Sequence, residues 1–499
     1  MAVGLRSIWY GGAAGADDYL EDDVLYIDGS WVPAKSGATF ESRNPATGEV
    51  LGKVADGAGE DARQAVEAAR AAFKDFSRLT PHRRSAYLYD AWRIMNERKE
   101  DLARLMTSEQ GKPLRMARTE VGYAADFLLW FAEEAKRVYG STIPSARADQ
   151  RFMTSYQPVG VAAAITPWNY PVSMLTRKIA PALAAGCTIV VKPAEQTPLC
   201  AVETMKVFED AKIPAGVVNL ITTSDPVPVA SELLSNWEVR KITFTGSTEV
   251  GKRIAEQAAG QLKRVSLELG GHAPFIVFPD ADPLHAARGA SLVKFLNTGQ
   301  ACICPNRLFV HRSVADVFVS ELTARVSKLR AGNGLDDGVT CGPLIDEAAM
   351  QKLERQVADA TAKGARVTVG GHRLTDAPLS DGTFYAPTVL TDVTPDMQIY
   401  REETFGPIAP VIVYEREEDV LAMANDTTYG LASYVYTNDL KRALTAAEGL
   451  NFGMIGINDI NPTSASVPFG GIKESGLGRE GAREGILEYL DQKVVGIAL

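Results

Sequence analysis

Val159-Gly-Val-Ala-Ala-Ala-Ile165 is an apolar run typical of a buried β-strand, and it opens the region that determines the fold. A helical pattern follows from Met174 to Ala185, and Thr188-Ile-Val-Val-Lys192 is the next strand-like run. The alternation continues with helices at 198–211 and 247–259 and strands at 217–221, 241–245 and 265–269. Strands and helices that alternate at this spacing predict a parallel sheet covered on both faces. Such a sheet binds ligands beyond the carboxyl ends of its strands.

The flanking regions add further elements. Two helices are predicted at 60–74 and 81–106, and residues 140–157 alternate like a β-hairpin. A second strand–helix alternation runs from about 308 to 459. The tail from Glu488 ends in an apolar, strand-like run. Because such a strand needs a partner, we expect it to pair with the 140–157 hairpin of another subunit.

Composition and charge exclude several classes of protein. The 499 residues are 46% hydrophobic and 23% charged, which is typical of a globular protein. A net charge of -10 argues against a general nucleic-acid binder, and no apolar run is long enough to cross a bilayer. The N-terminus lacks the apolar core of a secretory signal. Five cysteines form no disulfide framework and have no metal-ligand spacing, so a cytoplasmic protein without a metal is expected.

Cys302 lies on a Gly-containing loop that follows a predicted helix. Asp282 is the expected N-cap of that helix, with Leu284 and Leu292 among its apolar side chains. A thiol on a loop between two rigid elements suits a nucleophile, although free cysteines are commonly inert core fillers. Cys304 either packs or forms a reversible disulfide with Cys302.

Two further side chains suit chemistry on a carbonyl group. Glu268, at a predicted strand end, is a candidate base, although it would equally pair with a lysine such as Lys263. Asn169 is a candidate oxyanion donor, although its segment Pro167-Trp-Asn-Tyr-Pro171 is rich in turn residues.

Two segments suit a dinucleotide. Glu195 follows the strand that ends at Lys192; a carboxylate there accepts both hydroxyls of an adenosine ribose and repels a 2′-phosphate, which predicts NAD over NADP. A solvated loop charge is the alternative. Gly246 leads into a helix at Ser247, where backbone amides suit a pyrophosphate. The spacing G-x-x-x-x-G departs from the usual dinucleotide pattern, so a plain strand-to-helix turn is the alternative.

From about Leu25 to the C-terminus the chain resembles the aldehyde dehydrogenase superfamily. The motifs that carry this resemblance are Thr166-Pro-Trp-Asn169, Lys192-Pro-Ala-Glu195, Phe244-Thr-Gly-Ser-Thr248, Leu267-Glu-Leu-Gly-Gly271, Gly299-Gln-Ala-Cys302, Glu403-Thr-Phe-Gly-Pro407 and Pro468-Phe-Gly-Gly471. So many motifs in the same order leave chance agreement negligible.

The resemblance implies roles for individual residues. Cys302 would be the nucleophile, the Asn169 amide and the Cys302 backbone N–H the oxyanion hole, and Glu268 the general base of deacylation. The implied cofactor-binding residues are Thr166, Pro167, Trp168, Lys192, Glu195, Gly246, Ser247, Lys352, Glu403 and Phe405. The implied reaction is NAD-dependent oxidation of an aldehyde to a carboxylic acid through a cysteine thiohemiacetal and a thioester.

The resemblance also implies an α/β architecture in three parts. A modified doubly wound NAD-binding domain would comprise 1–139 and 159–270, and an α/β catalytic domain 271–483. A small β oligomerisation arm, 140–158 and 484–499, would join subunits into a homodimer or a dimer of dimers.

Within the superfamily the chain resembles the succinate-semialdehyde dehydrogenase group. The motifs that carry this likeness are Met174-Leu-Thr-Arg-Lys178, Cys302-Ile-Cys304-Pro-Asn-Arg307 and Gly470-Gly-Ile-Lys-Glu-Ser-Gly-Leu-Gly-Arg-Glu480. In that group the arginine matching Arg177 binds the substrate carboxylate.

A second carboxylate-binding arginine is usual six positions before the nucleophile, where this chain has Leu296. The resemblance makes succinate semialdehyde the leading substrate, and Leu296, which makes the pocket more apolar, makes a longer, aromatic or neutral aldehyde the alternative. Tyr170, Phe469 and either Ser464 or Thr463 complete the predicted substrate site.

Two other functions are less consistent with these residues. Cys302, Glu268 and Asn169 are all present, which argues against a non-catalytic binding protein on the same fold. Glu268 also favours hydrolysis of the thioester over transfer of the acyl group to coenzyme A.

Overall fold

The computed structural model describes residues 21–22 and 24–499. Helices α1 to α15 are, in chain order, Gly59–Phe76, Pro81–Glu97, Lys99–Gln110, Leu114–Glu134, Ser173–Ala185, Pro198–Asp210, Pro226–Ser235, Thr248–Ala259, Pro283–Lys294, Arg312–Val326, Glu347–Ala362, Gln398–Arg401, Glu417–Asn425, Leu440–Gly449 and Ala482–Leu487. Strands β1 to β21 are Glu21–Asp22, Leu25–Ile27, Ser30–Val32, Thr39–Arg43, Val50–Ala55, Thr142–Ile143, Gln150–Pro158, Val161–Ile165, Thr188–Lys192, Val218–Leu220, Val239–Thr245, Arg264–Glu268, Ala273–Val277, Pro305–His311, Arg366–Val369, Thr388–Thr391, Ile408–Tyr414, Ala432–Tyr436, Met454–Ile457, Gly476–Leu477 and Leu490–Ala498.

Two large sheets organise these elements. The first has eight strands in the order β20-β12-β11-β8-β9-β10-β2-β3, and the second has seven in the order β15-β16-β17-β14-β13-β18-β19. The central strands β8 and β9 are buried along their whole length, as expected for parallel strands covered by helices on both faces. The predicted α/β class is confirmed.

The alternation predicted between 159 and 278 is confirmed, since every helix and strand predicted there overlaps an observed element. The helix predicted at 81–106 is wrong in one respect. It is divided into α2 and α3 at Arg98, whose backbone (φ −93°, ψ 11°) leaves the helical region. The Arg98 side chain forms an ion pair with Asp210 at the end of α6.

The register of the first sheet places the carboxyl ends of four strands side by side. Ile165 of β8 pairs with Lys192 of β9, and Phe244 of β11 pairs with Ile165. Thr245 of β11 in turn pairs with Glu268 of β12. Because these strands are parallel, the segments that follow them all leave the sheet on the same side.

The second sheet supports the nucleophile loop. Strand β13 pairs in parallel with β14, and the connection between them consists of α9 and the loop that carries Cys302. The Cys302 loop therefore returns to the sheet directly beside the segment that follows Glu268.

A third, three-stranded sheet has the order β21-β7-β6. The C-terminal strand β21 pairs antiparallel with β7 of the same chain, from Leu490 opposite Pro158 to Ala498 opposite Gln150. The expectation that the tail pairs with the hairpin of another subunit is therefore wrong: its hydrogen-bonding partner lies in its own chain. Apolar side chains including Val494, Ile497 and Leu499 remain exposed on this sheet, and its role in assembling subunits stays a prediction.

The three-part domain division also stays a prediction, and residues 1–20 of its first part lie outside the described residues. No helix in the part of the chain described here has both the length and the apolar composition needed to cross a membrane.

Candidate active site

The loop before Cys302 has a constrained backbone. Asn297 and Thr298 have positive φ angles, 48° and 58°, which are uncommon outside glycine. The Thr298 hydroxyl accepts a hydrogen bond from the Gly342 N–H at 2.9 Å, which holds the turn in place. A side chain at Gly299 is excluded because its Cβ would lie 2.1 Å from the Gly406 carbonyl oxygen. Strain of this kind persists only where the surrounding structure enforces it, as it does at functional sites.

Asn169 is fixed against this loop. Its side-chain Nδ2 donates to the Gln300 carbonyl oxygen at 3.0 Å, and its own carbonyl oxygen accepts from the Asn297 amide at 2.9 Å. A side-chain amide has two N–H donors, so one hydrogen fixes the group and the other remains available. Asn169 therefore has the arrangement that an oxyanion donor needs.

Cys302 is the partly exposed member of the five cysteines; Cys187, Cys200, Cys304 and Cys341 are buried. Burial raises the pKa of the Cys302 thiol above its ordinary value, and the charge of Glu403 raises it further, while Arg177 acts in the opposite direction. Cys304 is packed in the core and its thiol donates to the Val293 carbonyl oxygen at 3.1 Å.

The Cys302 backbone is closely packed on its carbonyl side and has a free donor on its N–H side. Gly271 lies so close to the Cys302 carbonyl oxygen that a Cβ there would approach it at 2.1 Å. Within the described residues the Cys302 backbone N–H has no hydrogen-bond acceptor. A second donor is thus free beside the sulfur.

Glu268 ends β12 with its side chain 3% exposed, and its Oε2 has no hydrogen-bond partner within the described part of the chain. Burial raises the pKa of this carboxyl well above its ordinary value, and the neighbouring Glu480 raises it further. Lys263 is not its partner, because that ammonium donates to the carbonyl oxygens of Asn236 and Val239.

Glu480 binds two buried cations that the sequence did not link to it. Its carboxylate contacts the Lys178 ammonium and lies 3.0 Å from Nε of Arg177. Burial alone would raise the pKa of Glu480, but these two charges outweigh it and hold the pKa below its ordinary value. Arg177 lies with its guanidinium 4.1 Å from the Phe469 ring centroid, and its Nη2 has no acceptor among the described residues.

A cavity of about 470 Å³ opens at Cys302. Four of the predicted substrate residues line it, namely Tyr170, Arg177, Leu296 and Phe469, together with Thr463. Ser464 is the exception: it does not line the cavity, because its hydroxyl pairs with that of Ser466 at 2.7 Å.

The cavity is also lined by residues that the sequence analysis did not identify. Lys112, Arg115, Glu120 and Tyr123 come from the start of α4 and the turn before it. Leu292 also lines the cavity. Leu284 and Leu292, named above as apolar side chains of α9, are about half exposed (50% and 51%). One signal in the sequence could have identified the residues of α4. The i, i+4 spacing of a single helical face relates Arg115, Met116, Thr119, Glu120 and Tyr123.

Some of the predicted cofactor residues follow the carboxyl ends of strands in the first sheet, and the others face those strand ends. Lys192 and Glu195 form an ion pair at 2.6 Å after β9, and Thr166 donates its N–H to the Lys192 carbonyl oxygen at 3.1 Å. Gly246 follows β11, and the Ser247 hydroxyl caps α8 by accepting from the Val250 N–H at 3.4 Å. The Thr166 hydrogen bond joins the ends of the neighbouring strands β8 and β9.

Residues from the second sheet face this edge. Glu403 accepts a hydrogen bond from the Gly271 N–H at 2.8 Å, and Lys352 is close enough to lower the pKa that burial raises in Glu403. Trp168, which follows Pro167, meets Phe405 edge to face with ring centroids 5.5 Å apart.

A dinucleotide fits this surface. Ser247 caps one of the first backbone N–H groups of α8, which leaves others at that end to bind an anion such as a pyrophosphate. Glu195 and Glu403 add two carboxylates, which suit the hydroxyls of two riboses.

The raised pKa of the Cys302 thiol gives a prediction for the protein without cofactor. A thiol is alkylated as its thiolate, and a raised pKa keeps the thiolate fraction small below that pKa. We therefore expect iodoacetamide to label Cys302 at a rate that rises about tenfold for each pH unit between pH 7 and 9. The measurement is mass spectrometry of the native protein at several pH values, with Cys302→Ala as the unlabelled control. A rate that levels off near pH 8 would contradict this prediction.

Comparison with known proteins places this geometry in a family. The model of the "Aldehyde dehydrogenase family" matches residues 31–495. A glutarate-semialdehyde dehydrogenase of Pseudomonas putida is 50% identical over 97% of this chain and 99% of the relative. A succinate-semialdehyde dehydrogenase of Escherichia coli, named for NADP(+), is also 50% identical, over 97% of this chain and 99% of the relative.

The solved structures agree. The crystal structure of an NADP-dependent enzyme of Escherichia coli superposes with a TM-score of 0.94 at 49% identity, covering 96% of this chain and 98% of that one. A family match over nearly the whole chain, with relatives and folds this similar, shows that the chain belongs to the aldehyde dehydrogenase family.

Proposed function

We propose that the protein oxidises a semialdehyde, an aldehyde with an acidic group at its far end, to the corresponding carboxylic acid with NAD as hydride acceptor. The observation that carries this proposal is the convergence at Cys302: a partly exposed thiol, a fixed Asn169 amide, a free backbone N–H and the buried carboxyl of Glu268. The semialdehyde dehydrogenases among the relatives support the class of substrate.

In this proposal Cys302 adds to the aldehyde carbon and the resulting oxyanion is bound by the second Asn169 amide hydrogen and the Cys302 N–H. NAD, held by Glu195, Ser247 and Glu403, would supply the hydride acceptor, and the Cys302 adduct that loses the hydride is a thioester. Water then releases the acid and restores the thiol. A non-catalytic binding protein would need none of these donors.

Glu268 suits the role of base because its pKa is raised. A carboxyl with an ordinary pKa is too weak a base to take a proton from a thiol or from water, and burial brings Glu268 closer to the working pH. Since the base must be deprotonated, its contribution is lost as the pH falls through this raised pKa. The unpartnered Oε2 leaves one oxygen for the proton.

The proposal is tested with Cys302→Ser and Asn169→Ala. We expect Cys302→Ser to abolish turnover, because a serine hydroxyl is a far weaker nucleophile at neutral pH. Asn169→Ala should slow the first turnover by roughly 10²–10³, the usual cost of one oxyanion donor. Stopped-flow absorbance of NADH with succinate and glutarate semialdehydes measures both. Turnover retained by Cys302→Ser would refute the proposal.

Glu195 supports NAD over NADP. Its carboxylate lies after β9 with 28% of its side chain exposed, paired with Lys192, where a 2′-phosphate would meet a second negative charge. The NADP(+) in the name of the Escherichia coli relative counts against this preference. Kinetics with NAD and with NADP decides between the argument from Glu195 and the argument from the relative.

We expect Glu195→Ser to raise the ratio of kcat/KM for NADP to that for NAD by about tenfold, because a like-charge contact of about 1.4 kcal/mol is removed. Glu256→Ser, an exposed carboxylate further along α8, is the matched control and should leave the ratio unchanged. A wild-type protein that uses NADP at least as well as NAD would show that Glu195 does not exclude the phosphate.

The cavity supports a substrate with a distal anion. Arg177 lies within it with an unpartnered Nη2, and Arg115 adds a second guanidinium that the sequence did not link to the site. We propose that Arg115 compensates for the arginine that Leu296 replaces. A cation on α4 suits an acidic group beyond the reach of residue 296, so glutarate semialdehyde is proposed alongside succinate semialdehyde. A neutral or aromatic aldehyde would leave both guanidinium groups unused.

Arg115→Gln should raise KM for the two semialdehydes about tenfold, the loss of one hydrogen bond to a charged group, and leave kcat/KM for hexanal unchanged. Arg118→Gln is the matched control, because Arg118 lies on the same helix but pairs with Glu100. Equal effects of Arg115→Gln on charged and neutral aldehydes would remove Arg115 from substrate binding.

A further inference from the structure

Lys112 is a buried cation for which the proposed mechanism has no use. Its side chain and that of its ion-pair partner Glu120 are each 1% exposed. Burying two opposite charges costs several kcal/mol per ion, which their attraction repays only when further hydrogen bonds satisfy both groups. The contacts of the pair therefore indicate what it does.

The Lys112 ammonium has three contacts, as many as it has N–H donors. It contacts the Glu120 carboxylate, donates to the Asn169 carbonyl oxygen at 2.7 Å and lies 4.1 Å from the Tyr170 ring centroid. An ammonium has three donors, and a cation over an aromatic ring is attracted to its face. No donor remains for a substrate, although Lys112 lies in the wall of the cavity.

Glu120 binds the other end of the same turn. Its Oε1 accepts the backbone N–H groups of Val172 and Ser173, both at 3.1 Å. These groups belong to the start of α5, where N–H groups have no partner within the helix. Lys112 and Glu120 together therefore hold both ends of the segment 169–173.

The same segment is tied to the nucleophile loop. The Asn169 carbonyl oxygen that accepts from Lys112 also accepts from Asn297, and the Asn169 side chain donates to Gln300. Gly342, whose N–H donates to Thr298 of that loop, packs so closely against Gly111 that a Cβ on it would lie 1.9 Å from the Gly111 carbonyl oxygen. The turn that carries Lys112 and the loop that carries Cys302 thus share one support.

We propose that Lys112, held by Glu120, is a positioning residue that fixes the Asn169 amide relative to the Cys302 sulfur. It acts through the Asn169 main chain and touches no reacting atom. The inference rests on the proposed function, because it assumes that Asn169 donates to the oxyanion.

The test is a double-mutant cycle on the first turnover. Lys112→Met should slow NADH formation in stopped flow by about 10²-fold, the effect of an ångström-scale displacement of a catalytic group. Lys112→Met combined with Asn169→Ala should be no slower than Asn169→Ala alone within about twofold, because Lys112 acts only through that amide. A structural role would instead multiply the two effects, and either multiplied effects or an unchanged rate in Lys112→Met overturns the proposal.

Two further variants keep the test valid. Lys112→Met/Glu120→Leu removes both charges, so no unpaired carboxylate stays buried if the single variant fails to fold, and it should show the same slow first turnover. Lys241→Met removes another fully buried lysine, bonded to Ser266 at 2.8 Å and located four residues before the end of β11. It should leave the first-turnover rate unchanged.

Turnover by Cys302→Ser in the same assay would refute the proposed function itself, separately from the role of Lys112.

Discussion

The register of four parallel strands is the constraint on which the site depends. Backbone hydrogen bonding sets Ile165, Lys192, Thr245 and Glu268 at the same edge of the sheet, so the segments that follow them must meet. The proposed oxyanion donor, the proposed cofactor carboxylate and the capped helix lie on those segments, and the proposed base is the last residue of one strand. A shift of one residue in any strand would turn its side chains to the opposite face and separate the groups.

Burial is the second physical factor that the groups of the site have in common. It raises the pKa values of Cys302, Glu268 and Glu403, and among the described residues no cation lies within hydrogen-bond distance of these three groups. The cations nearby are committed to other anions: Lys178 and Arg177 to Glu480, and Lys112 to Glu120. The raised pKa values therefore occur beside buried ion pairs, of which Arg177 keeps one nitrogen, Nη2, without an acceptor among the described residues.

Much of this could be predicted from the sequence, and the remainder has a physical reason. Cys302, Asn169 and Glu268 were candidates because each stands next to a strand or helix boundary whose local pattern is clear, and the resemblance to the family assigned their roles. The roles of Lys112 and Glu480 could not be predicted, because Lys112 binds a carbonyl oxygen 57 residues away and Glu480 binds a lysine 302 residues away along the chain. Charges in helical or turn segments normally face solvent, so nothing local distinguishes a buried lysine from an exposed one.

The C-terminal tail shows the same limit. Its apolar pattern correctly indicated a strand, but the choice between a partner in the same chain and one in another subunit depends on how the chain turns before Leu490. That turn includes the short helix α15, which the sequence analysis did not assign.

The long sequence separation between Glu480 and α5 has a consequence for biosynthesis. On the ribosome, residues 173–185 emerge some three hundred residues before residue 480. Until then, packing α5 against its sheet would bury Arg177 and Lys178 without their counter-charge, which is unfavourable. Strand β20, an outer strand of the same eight-stranded sheet, lies at residues 476–477 and emerges equally late. This sheet can therefore reach its native form only after residue 480 has left the exit tunnel.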